Sequence, residues 1–271
     1  MFASFAGIHS TDRGENPTFI LPLAVKSFNS EHMRASGSRK RPGKWGREMN
    51  SEMENYLRPS ATIDFDQETI STFAAEKAGN PADRTRQAVG LYYAVRDGIR
   101  YDPYTIDLSI EGIRASATLK NGRGWCVAKA ILLAACCRAV GIPARLGFAD
   151  VRNHLTTQRM RSLMNTDRFV WHGYTSIFLE GAWVKATPAF NIELCERFRL
   201  KPLEFDGRSD SLYQPFDLDG RRHMEYLVYH GEFADVPLDR IQETFGREYG
   251  MDSSWNQADF DREVERETKG A

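Results

Sequence analysis

Apolar residues recur with helical spacing in the first part of the chain that shows a regular pattern. After the pair Asn80 and Pro81, they follow offsets of i, i+3, i+4, i+7 and i+11, at Ala88, Leu91, Tyr92, Val95 and Ile99. These offsets lie on one face of a helix, and Asn followed by Pro is typical of a helix start. The pattern predicts an amphipathic helix over about 82–98 and a short helix near 111–119.

The segment from Trp125 to Val140 is apolar almost all round. It contains only two charged residues, Lys129 and Arg138, and it is followed by Gly141, which is typical of a helix end. A helix without a polar face has to be buried on every side. We therefore expect this helix at the centre of the core.

A β-hairpin is predicted where Glu180 and Gly181 separate two runs rich in aromatic and β-branched residues. If Leu179 pairs with Ala182, the register makes residue 187 a diagonal neighbour of residue 172. Further elements predicted from the pattern are strands at 144–149 and 225–230 and helices at about 156–165 and 239–249.

The charge balance argues against a nucleic-acid-binding protein. The chain of 271 residues has 36 Lys and Arg against 37 Asp and Glu, which gives a formal charge of −1. Duplex nucleic-acid binders usually carry a large basic surplus. A hydrophobic fraction of 41% is enough for a sizeable core.

No apolar run reaches the ~18 residues of a membrane helix, and no signal peptide is recognisable. We therefore expect a cytoplasmic protein that does not contact membranes. The four cysteines lack the spacing of a disulfide framework, and a structural zinc site is not expected. No metal and no cofactor is predicted for this chain. Cys136 and Cys137 lie deep in the apolar helix and are expected in the core.

The ends of the chain differ from the middle. Between residues 34 and 47 lie six basic residues and no acidic one, interleaved with Gly, Ser and Pro. We interpret 1–52 as a flexible basic extension. The alternatives are a nucleic-acid or targeting patch and a start codon assigned too early. The folded domain is expected over 53–250, followed by a charged tail at 251–271.

Cys126 heads the apolar helix, directly after a glycine-rich turn. Free backbone N–H groups and the positive end of the helix dipole favour a thiolate there and could hold an oxyanion. Trp125 and Asn121 remain open as sources of a second oxyanion donor. His172, on the first strand of the hairpin, could accept the thiol proton. The alternative is that both residues are structural.

The sequences GRGWCVAKAILLAACCRAVGIPARLGF and WHGYTSIFLEGAWVKATP carry a family resemblance. The chain resembles the transglutaminase-like superfamily over about 85–191, and most of all the bacterial transglutaminase-like cysteine peptidases. The resemblance implies an α+β, papain-like core with a cysteine-bearing helix packed on an antiparallel β-sheet. It also implies that Cys126 is the nucleophile and His172 the general base.

One position departs from the family pattern Trp-Val-x-x-Asp-Pro. Thr187 stands where the family has aspartate. A threonine can orient an imidazole by a hydrogen bond, but it cannot stabilise an imidazolium by charge. Asn191 and Asp150 are further candidates for the orienting role.

The sequence thus predicts cysteine-dependent acyl transfer through a thioester, with hydrolysis of peptide or amide bonds in a peptide or protein substrate. Three alternatives remain. They are an amine-accepting transglutaminase, an acyltransferase similar to the arylamine acetyltransferases, and a non-catalytic domain that binds peptides or proteins. Thiol reactivity separates the catalytic from the non-catalytic alternatives.

Overall fold

A computed structural model describes residues 53–153, 157–212, 216–220, 223–251 and 258–269. The predicted extension at 1–52 lies outside these residues. Helices occupy α1 (Glu68–Ala78), α2 (Arg84–Gly98), α3 (Ile110–Ile113), α4 (Ala115–Asn121), α5 (Cys126–Ala139), α6 (Gln158–Met164), α7 (Ile192–Arg197), α8 (Leu238–Tyr249) and α9 (Phe260–Thr268). Strands occupy β1 (Arg100–Tyr101), β2 (Arg123–Gly124), β3 (Ala144–Asn153), β4 (Arg168–Leu179), β5 (Ala182–Ala186) and β6 (Met224–Phe233).

The core is an antiparallel sheet with one helix packed against it. The strand order is β5-β4-β3-β6, and α5 packs on this sheet, chiefly on β4. The predicted α+β class, with the cysteine-bearing helix on an antiparallel sheet, is therefore confirmed. The strands β1 and β2 form a separate parallel pair of two residues each.

Helix α5 is buried on all sides, as its apolar sequence predicts. Its two charged side chains are buried as well, and each is paired with backbone carbonyls. The Lys129 ammonium donates to the carbonyl of Arg96 at 2.9 Å and to that of Ile99, at the end of α2. The Arg138 guanidinium donates to three carbonyls, those of Arg58, Ala144 and Ala234. These contacts supply the partners that a buried charge needs.

The helix predicted over about 82–98 begins two residues later. Asp83 caps α2, because its carboxylate accepts the backbone N–H of Arg86 at 2.9 Å. The Asn80 side chain instead accepts the N–H of Ala82 within the preceding turn. Asn80 and Asp83 are both residue types that cap helices, but only Asp83 directly precedes the first residue of α2.

The hairpin has the predicted register over the length of β5, which ends at Ala186, so the strand pairing does not extend to Thr187. Leu179 pairs with Ala182, and Thr175 pairs with Ala186. Glu180 and Gly181 have φ angles of 49° and 88°. Two positive values are those of a type I′ turn, whose twist matches that of the flanking strands.

The C-terminal helix α9 packs on the domain. Phe260 and Val264 are buried, and Phe260 lies edge-on to the ring of Tyr104. The Glu263 carboxylate accepts the Tyr104 hydroxyl at 2.5 Å. These residues belong to the segment for which the sequence predicts a charged tail, and the domain boundaries themselves stay predictions. Among the described helices, none is long and apolar enough to cross a membrane.

Candidate active site

Cys126 occupies the first position of α5, where backbone amides are not used by the helix itself. Its sulfur interacts with the backbone N–H groups of Cys126, Val127 and Gly173. The first two belong to the helix start, and the third belongs to β4. Three donors that converge on one sulfur can also hold the negative oxygen of a tetrahedral intermediate.

His172 lies on β4 beside that helix start. A side chain at Gly173 would collide with Val127, since an added Cβ would lie 2.9 Å from the Val127 Cα. The glycine therefore permits close approach of the strand to the first turn of α5. As a result, Cys126 and His172 line the same cavity.

The cavity that contains Cys126 and His172 is mostly apolar. Its empty space is about 360 Å³, counting the part that opens to solvent. Two elements far along the chain contribute to it, with Met160 and Met164 from α6 and Phe245 and Tyr249 from α8. Sequence reasoning missed these four residues, because only the tertiary packing brings α6 and α8 to the cysteine.

Burial sets the protonation states of the pair. It raises the pKa of the Cys126 thiol to about 11, although the three backbone amides act in the opposite direction. Burial, and secondarily the charge of His223, lowers the pKa of His172 to about 4. The backbone amides at the helix start do favour the thiolate, as the sequence predicts, but the loss of solvent outweighs them in the enclosed site. At neutral pH the pair consists of a thiol and a neutral imidazole.

Thr187 and Asn191 occupy different surroundings. Thr187 lines a second cavity together with His172, and its backbone N–H donates to Ser211 at 2.8 Å. The Asn191 Oδ1 accepts the backbone N–H of Tyr101 at 3.1 Å. That an orienting contact to His172 comes from Thr187 or Asn191 stays a prediction.

Asp150 contacts the other histidine of this sheet. Its carboxylate accepts the His230 Nε2 at 2.6 Å, the Arg168 guanidinium at 2.5 Å and the Trp171 backbone N–H at 3.0 Å. These donors hold the pKa of Asp150 below its usual value despite burial. The alternative that Asp150 orients His172 directly gains no support from these contacts.

The pair of His230 and Asp150 supports the backbone next to His172. The His230 ring stacks on Trp171 with centroids 4.2 Å apart. Trp171 has a φ of 56°, which costs energy for a bulky residue. The pairing of β3 with β4 is irregular between Ala149 and Val151. Asp150 therefore fixes the bulge that directly precedes His172.

Trp125 and Asn121, the two residues that the sequence offered as sources of a second oxyanion donor, differ in burial. Trp125 is buried and lines the cavity with Cys126, whereas Asn121 is exposed at the end of α4. Which group supplies a second donor stays a prediction, for which the Gly173 amide is a candidate that the sequence did not indicate. In the part of the chain that the structure describes, no three Cys, His, Asp or Glu side chains are grouped to hold a metal ion.

The family model of the transglutaminase-like superfamily matches residues 71–188, which include Cys126, His172 and Thr187. A comparison with curated proteins gave no match.

Two solved structures are similar in part. A candidate cysteine protease from Cytophaga hutchinsonii is 17% identical with a TM-score of 0.41, and the match covers 68% of this chain and 47% of that one. A candidate protease from Parabacteroides distasonis ATCC 8503 is 16% identical with a TM-score of 0.33, and the match covers 49% of this chain and 26% of that one. This chain thus spans less than half the length of either protein. Residues 71–188 of this chain are thus similar to the transglutaminase-like superfamily.

Proposed function

We propose that the chain performs cysteine-dependent acyl transfer and that it hydrolyses peptide or amide bonds. The observation that carries this proposal is the shared cavity of Cys126 and His172, in which the amide after His172 interacts with the cysteine sulfur. A nucleophile, a base and backbone donors within one enclosed site are the parts that acyl transfer needs.

The protonation states favour a general-base route. The neutral His172 imidazole takes the thiol proton as the Cys126 sulfur attacks the carbonyl carbon. The carbonyl oxygen becomes an oxyanion, for which the backbone N–H groups at the start of α5 and at Gly173 are the donors. Collapse of this intermediate expels the amine, which receives the proton from the imidazolium. Water then attacks the thioester, with His172 again as the base, and releases the acid and the free thiol.

The apolar surroundings favour this route over a preformed ion pair. Charge inside the cavity is costly until the substrate arrives, and Cys126 is only 8% exposed. A substrate must therefore displace some of the side chains from α6 or α8. The apolar lining also favours substrates with an apolar group beside the scissile bond.

The test incubates the full chain with an unfolded protein substrate and measures new N-termini by mass spectrometry. We expect cleavage by the wild type and a loss of at least about 10³-fold in Cys126→Ala and His172→Ala. Cys136→Ala is the matched control, because it removes a buried thiol from the same helix, and it should retain activity. If Cys126→Ala cleaves as well as Cys136→Ala does, the proposal is wrong.

A primary amine with a fluorescent label distinguishes the acceptors in the same reaction. Hydrolysis gives new ends without label, whereas an amine-accepting transglutaminase attaches the label to the substrate. If neither product forms and the substrate nevertheless binds, the non-catalytic binding domain is the better interpretation.

A further inference from the structure

We propose that a second cavity, on the Thr187 side of His172, binds a carboxylate group that comes from outside the chain. This Thr187-side cavity is lined by His172, Thr187, Cys195, Lys201 and His223 together with apolar side chains. Its empty space is about 390 Å³, counting the part that opens to solvent. The binding site itself does not depend on the proposed function. Only its consequence, a change in the pKa of His172 as the catalytic base, rests on that function.

Two buried polar atoms of the lining residues have no hydrogen-bond partner that the structure describes. The Nε2 of His172 and the Oγ1 of Thr187 are buried, and neither has a hydrogen-bond partner within the described part of the chain. Their residues are 5% and 3% exposed. A buried polar atom without a partner costs about 1–3 kcal/mol. Both atoms belong to residues that line this one cavity, and a polar ligand bound there would give them partners.

The ionisable groups that line the cavity favour the binding of an anion over that of a cation. The ionisable groups that line it are the imidazoles of His172 and His223, the thiol of Cys195 and the ammonium of Lys201. Burial raises the pKa of the Cys195 thiol to about 11, so this group stays neutral at ordinary pH. No carboxylate is among the described lining residues. An anion would therefore meet only neutral or positive groups.

A carboxylate fits these partners better than a larger anion. One of its oxygens can accept the Thr187 hydroxyl and the other can accept an N–H from His172, which matches the two atoms that lack partners. Lys201 is exposed, so this part of the lining borders solvent, and Cys126 is not among the lining residues.

The consequence concerns the base directly. Repulsion from His223 contributes to the lowered pKa of His172. An opposite charge at close range favours the imidazolium and raises the pKa of a histidine. The bound carboxylate would then stabilise the imidazolium that forms as Cys126 loses its proton. Thr187 stands where the superfamily pattern has a carboxylate of its own, and the ligand would supply that charge instead.

The test uses formate, the smallest carboxylate, with chloride at equal ionic strength as the control. The pKa of His172 is measured by NMR on the full chain, with His172→Gln to assign the signal. We expect formate to raise this pKa by about one unit or more, which is a tenfold gain in proton affinity. Equal titration curves in formate and chloride would overturn the proposal.

Substitutions of the lining residues test whether formate binds in the Thr187-side cavity. Lys201→Met should weaken the binding of ¹³C-formate several-fold, and Lys120→Met, an exposed lysine on α4, is its matched control. Thr187→Val should weaken formate binding by about tenfold, since it removes one hydrogen bond to a charged group. Thr187→Asp should raise the pKa of His172 by itself and abolish the response to formate. Unchanged formate binding in both Lys201→Met and Thr187→Val would contradict the site.

Two sources of the carboxylate are separated by short peptides that end in a carboxylate or a carboxamide. If the carboxylate peptide alone displaces formate, the group comes from a peptide ligand. If neither peptide does, the site takes a free anion. All measurements are repeated in Cys126→Ala. A formate response there supports the cavity even if the chain has no peptidase activity, so the two proposals fail separately.

Discussion

Two histidines on neighbouring parts of the same sheet have opposite surroundings. His172 is 5% exposed, lies beside a cysteine and has no carboxylate contact that the structure describes. His230 is 20% exposed at its side chain and is hydrogen-bonded to the buried carboxylate of Asp150. His230 thus has the carboxylate partner that is typical of a catalytic histidine. It is His172, however, that lines the cavity with Cys126.

In this protein, one carboxylate does not perform both roles that a carboxylate usually has beside a catalytic histidine. A carboxylate next to a catalytic imidazole usually both orients the ring and stabilises its positive charge. Here Asp150 orients the backbone before His172 through the Trp171 N–H, while its charge is used by His230 and Arg168. A histidine next to an acid is therefore not a sufficient sign of the catalytic base, and the position of the thiol has to decide.

The largest expected effect follows from Asp150→Asn. The change leaves His230, Arg168 and the strained Trp171 without their charged acceptor, and a hydrogen bond to a charged group contributes about 1.5–3 kcal/mol. We expect a loss of this size in the free energy of unfolding, measured by urea denaturation. Activity per folded molecule should fall as well, because the bulge that positions His172 loosens.

The matched control for this change is Asp167→Asn. Asp167 also pairs with an arginine, Arg152, at 2.9 Å, but its side chain is 55% exposed. Exposed pairs contribute less than about 1 kcal/mol. If both variants lose the same small amount, Asp150 does not hold the bulge in the way described.

The two sites should also respond to acid in separate pH ranges. The folded state lowers the pKa of His172 from its usual value of 6.5 to about 4, so between these values the unfolded chain binds more protons. Stability therefore falls as the pH drops from about 6.5 to 4, by about 3 kcal/mol. The lowered pKa of Asp150 acts below that range, since its contribution is lost as the pH falls through the folded pKa.

Urea denaturation at a series of pH values measures both effects. His172→Gln should flatten the loss between pH 6.5 and 4, while Asp150→Asn should flatten only the loss below about pH 4. An unchanged slope above pH 4 in His172→Gln would mean that another buried group accounts for it.

The sequence predicted those parts of the structure that depend on neighbouring residues. Helix α5 follows from an unbroken apolar run, and the hairpin register follows from a two-residue turn. Both signals are local, because one helix face or one turn contains all the information. The expected closeness of Cys126 and His172 came from a family resemblance rather than from local pattern.

The contacts between distant segments were not predictable. His230 reaches Asp150 because β3 pairs with β6 in a register that shifts between Phe148 and Ala149 and again between Asp150 and Val151. Irregularities of this kind change which side chains share a face. In the same way, the raised pKa of Cys126 depends on how fully the elements α6 and α8 cover it. The sequence shows the helix start that favours a thiolate but not the burial that opposes it.

The smallest expected effect concerns Asn191. Its Oδ1 accepts the backbone N–H of Tyr101, so Asn191→Ala should cost about 1 kcal/mol of stability. If it has no contact with the imidazole, activity per folded molecule should change less than about twofold. The measurement compares kcat with the free energy of unfolding for Asn191→Ala and Thr187→Ala.

The comparison decides which residue acts through His172. The Thr187 hydroxyl is buried in a cavity that His172 also lines, and it has no hydrogen-bond partner among the described residues. If substrate binding brings this hydroxyl to the imidazole, Thr187→Ala should lower kcat by about tenfold or more while Asn191→Ala lowers mainly stability. The reverse ranking would assign the orienting role to Asn191. The Asn191 Oδ1 can accept a second hydrogen bond besides that from the Tyr101 N–H, so Asn191 could take this role without losing its contact with Tyr101.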